Sequence, residues 1–213
     1  QVLVEGVCPE MAAALMPLAA EYKVIMLSAV SSTSTLSSPG VFRTISSDGA
    51  EAAFTAHLLS QKQITKAAIL SPNGGQRDIT QNIFEKEFFS RGGQVVARES
   101  FEKNSTRFEQ QLEMIADSPA TALYVIADSP RAARLFLQQR QERALSIPIY
   151  GSKWFKTDEI LKLGEAAEGL VVISPRLGNI GFITKYKELY GEDPGLFAAQ
   201  GYDAYKAIAL AVQ

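Results

Sequence analysis

The chain has 213 residues, 46% of them hydrophobic and 21% charged, with a formal net charge of −2. This near-neutral balance argues against nucleic acid as a partner, because a nucleic-acid-binding domain needs a basic face. No apolar run approaches the roughly 20 residues that a membrane-spanning helix requires. We therefore expect one large domain or two small lobes with a substantial core and no direct membrane span.

Short apolar runs alternate with stretches of helical periodicity along the chain. We predict strands at 2–4, 24–27, 66–70, 94–101, 121–126, 148–150 and 169–173, with a further apolar piece at 41–45. Between and after them we predict helices at 10–22, 48–61, 78–91, 107–117, 130–143, 158–163, 181–190 and 196–212. This alternation indicates an α/β fold with a mostly parallel sheet and helices on both faces.

Two of the predicted helices carry a specific expectation. Pro17 lies inside the first helix and should kink or split it, because proline removes a backbone donor. The helix at 48–61 should be capped by Ser47 or Asp48. Its apolar stripe should consist of Ala50, Ala53, Phe54, His57 and Leu58.

A run of hydroxyl side chains follows the strand at 24–27. Seven of the eight residues from Ser31 to Ser38 are Ser or Thr, Leu36 being the exception. Open α/β sheets bind small ligands just outside the carboxyl ends of their strands, which is where this run lies. Such a composition is usually that of a surface loop, so the residues alone favour a loop and leave the ligand site as the alternative.

The residues that catalysis or metal binding would require are scarce. Cys8 and His57 are the only cysteine and histidine, so an internal disulfide is excluded and a metal site would depend on carboxylates alone. A Cys/His nucleophile pair would also need an orienting group that the sequence does not indicate. The turn at 73–75 matches neither the Walker pattern nor the GxGxxG fingerprint, the two glycine-rich motifs of nucleotide-binding sites. We expect a protein that is not an enzyme and that has no cofactor and no metal.

Other strand exits carry groups that could contact a ligand. Arg77 follows the glycines at 74–75 and could clamp a carboxylate, although this loop alone slightly favours a solvated arginine in an exposed turn. Asp128 and Ser129 precede Pro130, an arrangement typical of a helix N-cap. Lys153 and Trp154 place a cation beside an aromatic ring at another exit. We expect the exits at 6–10, 28–33, 71–77, 127–129 and 151–155 to share one edge, or two edges that face each other.

Four stretches of the chain resemble, in order, the type I periplasmic binding proteins, which are the solute receptors of ABC importers in the branched-chain amino acid class. The first is VIMLSAVSSTSTL…VFRTISSD, and the second is AAILSPNGGQRDITQNIFEKEFFSRGGQVV. The third and fourth are IYGSKWFKTDEILKLGEAAEGLVVISP and YKELYGEDPGLFAAQGYDAYKAIALA. The resemblance covers essentially the whole chain.

The resemblance implies a two-lobed fold with doubly wound parallel sheets around a cleft. Lobe one would comprise residues 1–46 and 176–213, and lobe two residues 47–175. The family normally begins with two further β–α units and ends with a third crossover. We therefore expect this chain to be a fragment or to be trimmed at both ends, and the lack of a signal peptide says nothing about its localisation.

The resemblance also implies which residues of lobe one would bind the ligand. Ser31, Ser32 and Thr33 fall on the positions whose hydroxyls and backbone groups grip an amino-acid ligand in the family. Cys8 lies in the exit loop expected beside them. In lobe two, Gln76 stands where the family often has an aromatic residue.

Lys153 stands where branched-chain amino acid receptors place an acid that meets the ligand ammonium. A lysine there would repel that ammonium, which disfavours the same ligand pose. Asp128 could take over the ammonium, or the ligand could lack one, and Lys153 with Arg77 would suit a second negative group. Trp154 would supply apolar contact for the ligand.

By resemblance, the expected function is that of a periplasmic or otherwise extracytoplasmic solute receptor of an ABC importer. It would close its lobes over a small polar ligand, an amino acid or related carboxylate, and dock on the membrane subunits of the importer. An alternative is a non-transport module of the same fold that binds an envelope protein, as activators of cell-wall synthases do.

Overall fold

The computed structural model describes residues 1–5, 9–33, 35–176 and 178–212, and the side chains of 9–10 and 75–78 are outside this description. The chain divides into two compact units. Unit one comprises Gln1–Asp48 and Pro175–Gln213, and unit two comprises Gly49–Ser174. The polypeptide therefore crosses from one unit to the other twice, near residue 48 and near residue 175. The assignment of these units to the lobes of a receptor stays a prediction.

Unit one contains a parallel sheet in the order β1-β2-β3, formed by Val2–Glu5, Ile25–Ser28 and Val41–Arg43. Its helices are α1 (Pro9–Glu21), α7 (Ile180–Tyr190) and α8 (Ala198–Ala211). In the sheet register, Glu5 at the end of β1 lies beside Ser28 at the end of β2. The polar groups that end the two strands are therefore neighbours.

Unit two contains a five-stranded sheet in the order β5-β4-β6-β7-β8, and every strand pair is parallel. The strands are β4 (Lys66–Pro72), β5 (Gln94–Phe101), β6 (Ala122–Val125), β7 (Ile149–Gly151) and β8 (Val171–Val172). The helices are α2 (Asp48–Gln61), α3 (Gly75–Phe89), α4 (Glu109–Ala116), α5 (Pro130–Glu142) and α6 (Asp158–Leu161). Two 3₁₀ turns, Lys153–Phe155 and Gly164–Ala167, complete the unit.

Both faces of this sheet are buried, because successive side chains of a strand point to opposite faces. On β4, Ala68 and Leu70 join a cluster that includes Phe108 of the loop before α4 and Phe136 of α5. Ala67 and Ile69, which alternate with them, join a second cluster with α2 and α3. The doubly wound α/β architecture predicted from the alternation of strands and helices is thus confirmed.

The strand order reverses direction at β4. From β4 the chain passes through α3 to β5 on one side, whereas β6 lies on the other side of β4. In open α/β sheets this reversal separates the loops that follow the two strands and creates a crevice at their carboxyl ends. In unit two, that position belongs to the loops after Pro72 and after Val125.

Helix α1 continues through Pro17, so the predicted split is wrong, and the predicted kink stays a prediction. The expectation about the apolar stripe of α2 is wrong as well. The buried side of α2 consists of Gly49, Glu51, Ala52, Thr55, Ala56 and Leu59, and not of the predicted stripe. Phe54 is 56% exposed, and Ala50 and His57 are exposed as well. Ala52 and Ala56 pack in the same cluster as Ala67 and Ile69 of β4, and Thr55 satisfies its hydroxyl by donating to the Glu51 carbonyl at 2.8 Å.

Gly151 ends β7 where the ring of Phe155 packs against the backbone. A Cβ atom on residue 151 would lie 2.6 Å from Cδ2 of Phe155. We predict that Gly151→Ala lowers the free energy of unfolding by about 1–3 kcal/mol, because overpacking forces a buried ring to shift. Denaturant unfolding measures the change. Gly195→Ala is the control, since no atom lies within 4 Å of the added methyl group, and equal effects of the two substitutions would contradict the packing argument.

Candidate functional site

In unit one, a buried hydroxyl joins the ends of two strands to the loop that follows. Ser28 Oγ donates a 2.6 Å hydrogen bond to the Glu5 carboxylate and accepts one of 3.1 Å from the Ser31 backbone N–H. Glu5 is 2% exposed and Ser28 is fully buried. The carboxyl end of β1 thereby fixes the first turn of the hydroxyl-rich loop after β2.

The Ser31 hydroxyl is the candidate ligand contact in this loop. Ser31 is 1% exposed, and its Oγ has no hydrogen-bond partner among the residues that the structure describes. A buried hydroxyl without a hydrogen-bond partner lowers the free energy of unfolding, so a serine at this position calls for an explanation. Its position at the carboxyl end of a parallel strand is where this class of sheet binds small molecules.

Ser32 joins the same loop to the start of helix α2. Its Oγ donates a 2.6 Å hydrogen bond to the Asp48 carboxylate, and the Asp48 backbone N–H donates to the Ser32 carbonyl at 2.8 Å. These two reciprocal bonds hold the loop against the point where the chain leaves unit one. The Ser32 hydroxyl therefore has a structural partner, unlike that of Ser31.

Thr33 is also engaged within unit one. Its Oγ1 lies 2.9 Å from Thr35 Oγ1, and its carbonyl accepts a 2.8 Å hydrogen bond from the guanidinium of Arg43. Arg43 also donates to the Leu36 carbonyl at 3.0 Å. The arginine at the end of β3 thus holds the middle of the hydroxyl run in place.

In unit two, Asp128 connects the loops after β5 and β6. One carboxylate oxygen accepts from the Asn104 backbone N–H at 3.0 Å, and the other accepts from Ser129 Oγ at 2.9 Å. Ser129 is also the N-cap of α5, accepting from the Ala132 N–H at 3.2 Å. Both oxygens of Asp128 therefore have donors inside the unit, which reduces their capacity for a ligand ammonium.

Ser152 holds the loops after β6 and β7 together, and the sequence analysis did not identify it. Its Oγ accepts a 3.1 Å hydrogen bond from the Ala127 backbone N–H, and its own N–H donates to the Val125 carbonyl. The residue is 2% exposed. A lone serine after a short strand gives no signal in sequence that it will bridge to a neighbouring strand.

Lys153 forms a buried ion pair with Glu51 of α2. Nζ lies 3.7 Å from the carboxylate, and the two side chains are 7% and 8% exposed. Nζ also lies 5.9 Å from the centroid of the half-buried Trp154 ring. The lysine charge is therefore compensated inside unit two, so Lys153 is not an isolated cation presented to a ligand.

A second cation near β7 is Lys156. Its Nζ donates to Ser174 Oγ at 3.2 Å, and burial lowers the pKa of this amine. Burial also raises the pKa of the Tyr150 phenol on β7. Both shifts have the same cause, since desolvation disfavours the charged form of each group.

The remaining predicted positions have a limited description. Cys8 lies outside the described residues. The backbones of Gln76 and Arg77 belong to the first turn of α3, and their side chains lie outside the description. Within the described part of the chain, no group of three or more His, Cys, Asp or Glu side chains could hold a metal ion. No described helix combines the length and the apolar character needed to cross a bilayer.

The sequence analysis also missed Glu5 and Glu51, the two buried acids near these loops. Glu5 carried a signal, because a carboxylate that directly continues an apolar strand must find a partner when it is buried. Glu51 carried none, since an acid in the first turn of a helix is ordinary on an exposed face. Each acid has a partner far from it in sequence, Ser28 for Glu5 and Lys153 for Glu51.

Comparison with known proteins assigns the chain to a family. The sequence profile of the periplasmic binding proteins matches residues 1–213. The chain belongs to the periplasmic binding protein family. No curated protein matches it. Solved structures that it resembles include a branched-chain amino acid ABC transporter protein and a leucine-binding protein. The periplasmic binding protein family predicted from the four sequence stretches is thus confirmed.

Three of these structures illustrate the range of the likeness. A provisionally assigned branched-chain amino acid ABC transporter protein from Rhodospirillum rubrum is 28% identical, with a TM-score of 0.76, 93% of this chain covered and 60% of that one. A Rhodopseudomonas palustris solute-binding protein in complex with 3,4-dihydroxybenzoic acid is 25% identical, with a TM-score of 0.81 and coverages of 97% and 60%. LivJ from Streptococcus pneumoniae in complex with isoleucine is 21% identical, with a TM-score of 0.82 and coverages of 100% and 64%. This periplasmic binding protein chain thus spans less than two thirds of the length of each.

The buried Lys153–Glu51 pair gives a stability prediction. Lys153→Met should lower the free energy of unfolding by about 3–5 kcal/mol, because it leaves the Glu51 carboxylate buried without this ammonium. The double variant Lys153→Met/Glu51→Leu should recover most of the loss. Denaturant unfolding of the wild type, both single variants and the double variant gives the coupling free energy.

The control for this cycle is an exposed ion pair of the same kind. Lys187 and Asp193 lie 3.2 Å apart with side chains 60% and 69% exposed. Lys187→Met should cost less than about 1 kcal/mol, since exposed pairs contribute little. Similar losses for Lys153→Met and Lys187→Met would show that the buried pair does not hold the loop after β7.

Proposed function

We propose that this chain belongs to a solute-binding receptor of an ABC importer. The receptor binds a small polar ligand, an amino acid or a related carboxylate, and does not transform it. Family membership supports a binding role, and the solved structures that resemble the chain include receptors with isoleucine and with a hydroxylated benzoic acid. The location proposed from the family is periplasmic or otherwise extracytoplasmic, and the proposed protein partners are the membrane subunits of the importer.

The observation that carries the proposal is the buried Ser31 hydroxyl, which has no hydrogen-bond partner in the described part of the chain. The Ser31 hydroxyl would donate a hydrogen bond to a carboxylate oxygen of the ligand, and this charge-assisted bond would satisfy it. The neighbouring hydrogen bonds of Ser28 and Ser32 hold the loop in place, so little conformational freedom is lost when the ligand binds. Ser32 and Thr33 contribute to the proposed site through the loop backbone and its rigidity.

The Lys153–Glu51 ion pair of unit two changes the charge that an ammonium group on the ligand would encounter. A lysine alone after β7 would repel it, but Lys153 next to Glu51 forms a pair without net charge. An α-amino acid is therefore as compatible with these residues as a carboxylate that lacks an ammonium. Trp154 would supply apolar contact for either class of ligand.

We propose residues 1–46 with 176–213 and residues 47–175 as the two lobes of the receptor. A ligand that contacts both lobes favours the closed form by its differential affinity for that form. Micromolar binding requires about 8 kcal/mol in total. A few hydrogen bonds to charged groups, at about 1.5–3 kcal/mol each, and the burial of apolar ligand surface together supply a binding free energy of this magnitude.

The prediction for this function concerns Ser31→Ala. Calorimetry on the full-length protein with leucine, isoleucine, benzoate and 3,4-dihydroxybenzoate should show saturable micromolar binding of at least one compound. Ser31→Ala should weaken that binding roughly ten- to hundredfold, because one hydrogen bond to a charged group is lost.

Ser37→Ala is the matched control, because Ser37 belongs to the same loop and is exposed. It should bind the ligand with the affinity of the wild type. Equal affinities for wild type and Ser31→Ala would exclude the Ser31 hydroxyl as the ligand contact. A lack of binding across the whole panel would contradict the receptor function itself.

A further inference from the structure

Unit one contains a cavity that is separate from the hydroxyl loop. Its volume is about 360 Å³, within the range of small-molecule sites. It lies where the chain enters and leaves unit one, and it is lined by Thr44, Ser46, Pro175, Arg176, Gly178, Asn179, Ala199, Gln200 and Asp203. None of the residues that we propose for the receptor site lines it.

Gln200 gives the cavity a buried and incompletely satisfied amide. The residue is 6% exposed, and its Nε2 donates a 3.1 Å hydrogen bond to the Arg176 carbonyl. Its own backbone carbonyl accepts from Thr44 Oγ1 at 2.8 Å. The side-chain Oε1 is buried and has no donor among the described residues. Reversing the amide would turn Oε1 towards the Arg176 carbonyl, so the unsatisfied atom is an acceptor that requires a donor.

Two opposite charges border the same cavity without neutralising each other. Arg176 supplies a guanidinium and Asp203 a carboxylate, and both residues are exposed. Within the part of the chain that the structure describes, neither side chain takes part in an ion pair. A ligand with one negative and one positive group would satisfy both.

The start of helix α7 adds a second attraction for a negative group. Asn179, which lines the cavity, is the N-cap of this helix and accepts from the Phe182 N–H at 2.9 Å. The first backbone N–H groups of an α-helix have no acceptor within the helix and carry a partial positive charge. Arg176 and Asn179, which are three residues apart in sequence, both line the cavity.

We propose that this cavity binds a small zwitterion. The carboxylate of the ligand pairs with Arg176 near the start of α7. The ammonium of the ligand pairs with Asp203 and donates to the unsatisfied Oε1 of Gln200. Because the cavity is lined by Thr44 and Ser46 on one chain crossing and by Pro175 and Arg176 on the other, a bound zwitterion also links the two crossing segments.

The test uses zwitterions with increasing distance between their charges. Full-length protein labelled with ¹⁵N is titrated with glycine, β-alanine, 4-aminobutanoate and 5-aminopentanoate, and with propanoate and propylamine as compounds of single charge. At least one zwitterion should shift the side-chain amide resonances of Gln200 in a saturable manner. Arg176→Gln and Asp203→Asn should each weaken that binding at least tenfold, and the two compounds of single charge should bind at least tenfold more weakly.

Control variants separate this site from the other charges and from the proposed receptor site. Lys185→Gln and Glu188→Gln change exposed charges of α7 and should leave the titration unchanged. Ser31→Ala should also leave it unchanged, even though it removes the proposed receptor contact. The proposal is overturned if no zwitterion shifts the Gln200 amide, if propanoate binds equally well, or if neither Arg176→Gln nor Asp203→Asn weakens binding.

Discussion

The hydroxyl of Ser28 is the group on which the arrangement of unit one depends most. It donates to a buried carboxylate at the end of one strand and accepts from the backbone of the loop that follows the next strand. Parallel strands end at the same edge of a sheet, so Glu5, Ser28 and Ser31 meet although they come from separate segments. Without this hydroxyl, the buried Glu5 carboxylate would lose a donor and the Ser31 N–H would lose its acceptor.

The consequence of this arrangement is that the hydroxyls of one loop are not equivalent. Ser32 is held by Asp48, and Thr33 is held by Thr35 and Arg43. The Ser31 hydroxyl, by contrast, is buried and has no partner among residues 1–5, 9–33, 35–176 and 178–212. The same distinction holds in unit two, where Asp128 and Lys153 have partners inside the unit. Asp128 and Lys153, the charged residues at these strand ends, therefore hold the loops of unit two together.

Much of the fold could be predicted from the sequence, because period-2 and period-3.6 apolar patterns are local properties. Helix α2 has the predicted limits, Asp48–Gln61, and β5 has the predicted limits, Gln94–Phe101. The buried face of α2 could not be predicted in the same way. Ten of its fourteen residues are apolar or small, and which of them are buried, Ala52 and Ala56 rather than Phe54, depends on the face that packs on the sheet.

The candidate site was predictable only as a region. The hydroxyl run after β2 is visible in the sequence, and the type I receptor resemblance gives it a role. Which hydroxyl is unsatisfied depends on Glu5, Asp48 and Arg43, which lie in other segments, and no local pattern records those contacts. The ion pair of Lys153 with Glu51 joins a loop to a helix far away in sequence. From the sequence, Lys153 was therefore predicted to present a positive charge to the ligand, whereas in the folded unit Glu51 compensates that charge.

The central claim is that the Ser31 hydroxyl is kept unsatisfied for a ligand. A crystal structure of the full-length protein in complex with the compound of the panel that binds most tightly tests this claim directly. We predict a polar atom of the ligand about 2.7–3.0 Å from Ser31 Oγ, with the hydrogen bonds of Ser28 to Glu5 and to the Ser31 N–H unchanged. A bound ligand that leaves Ser31 Oγ without a partner, or a Ser31 hydroxyl that bonds within the protein instead, would contradict it.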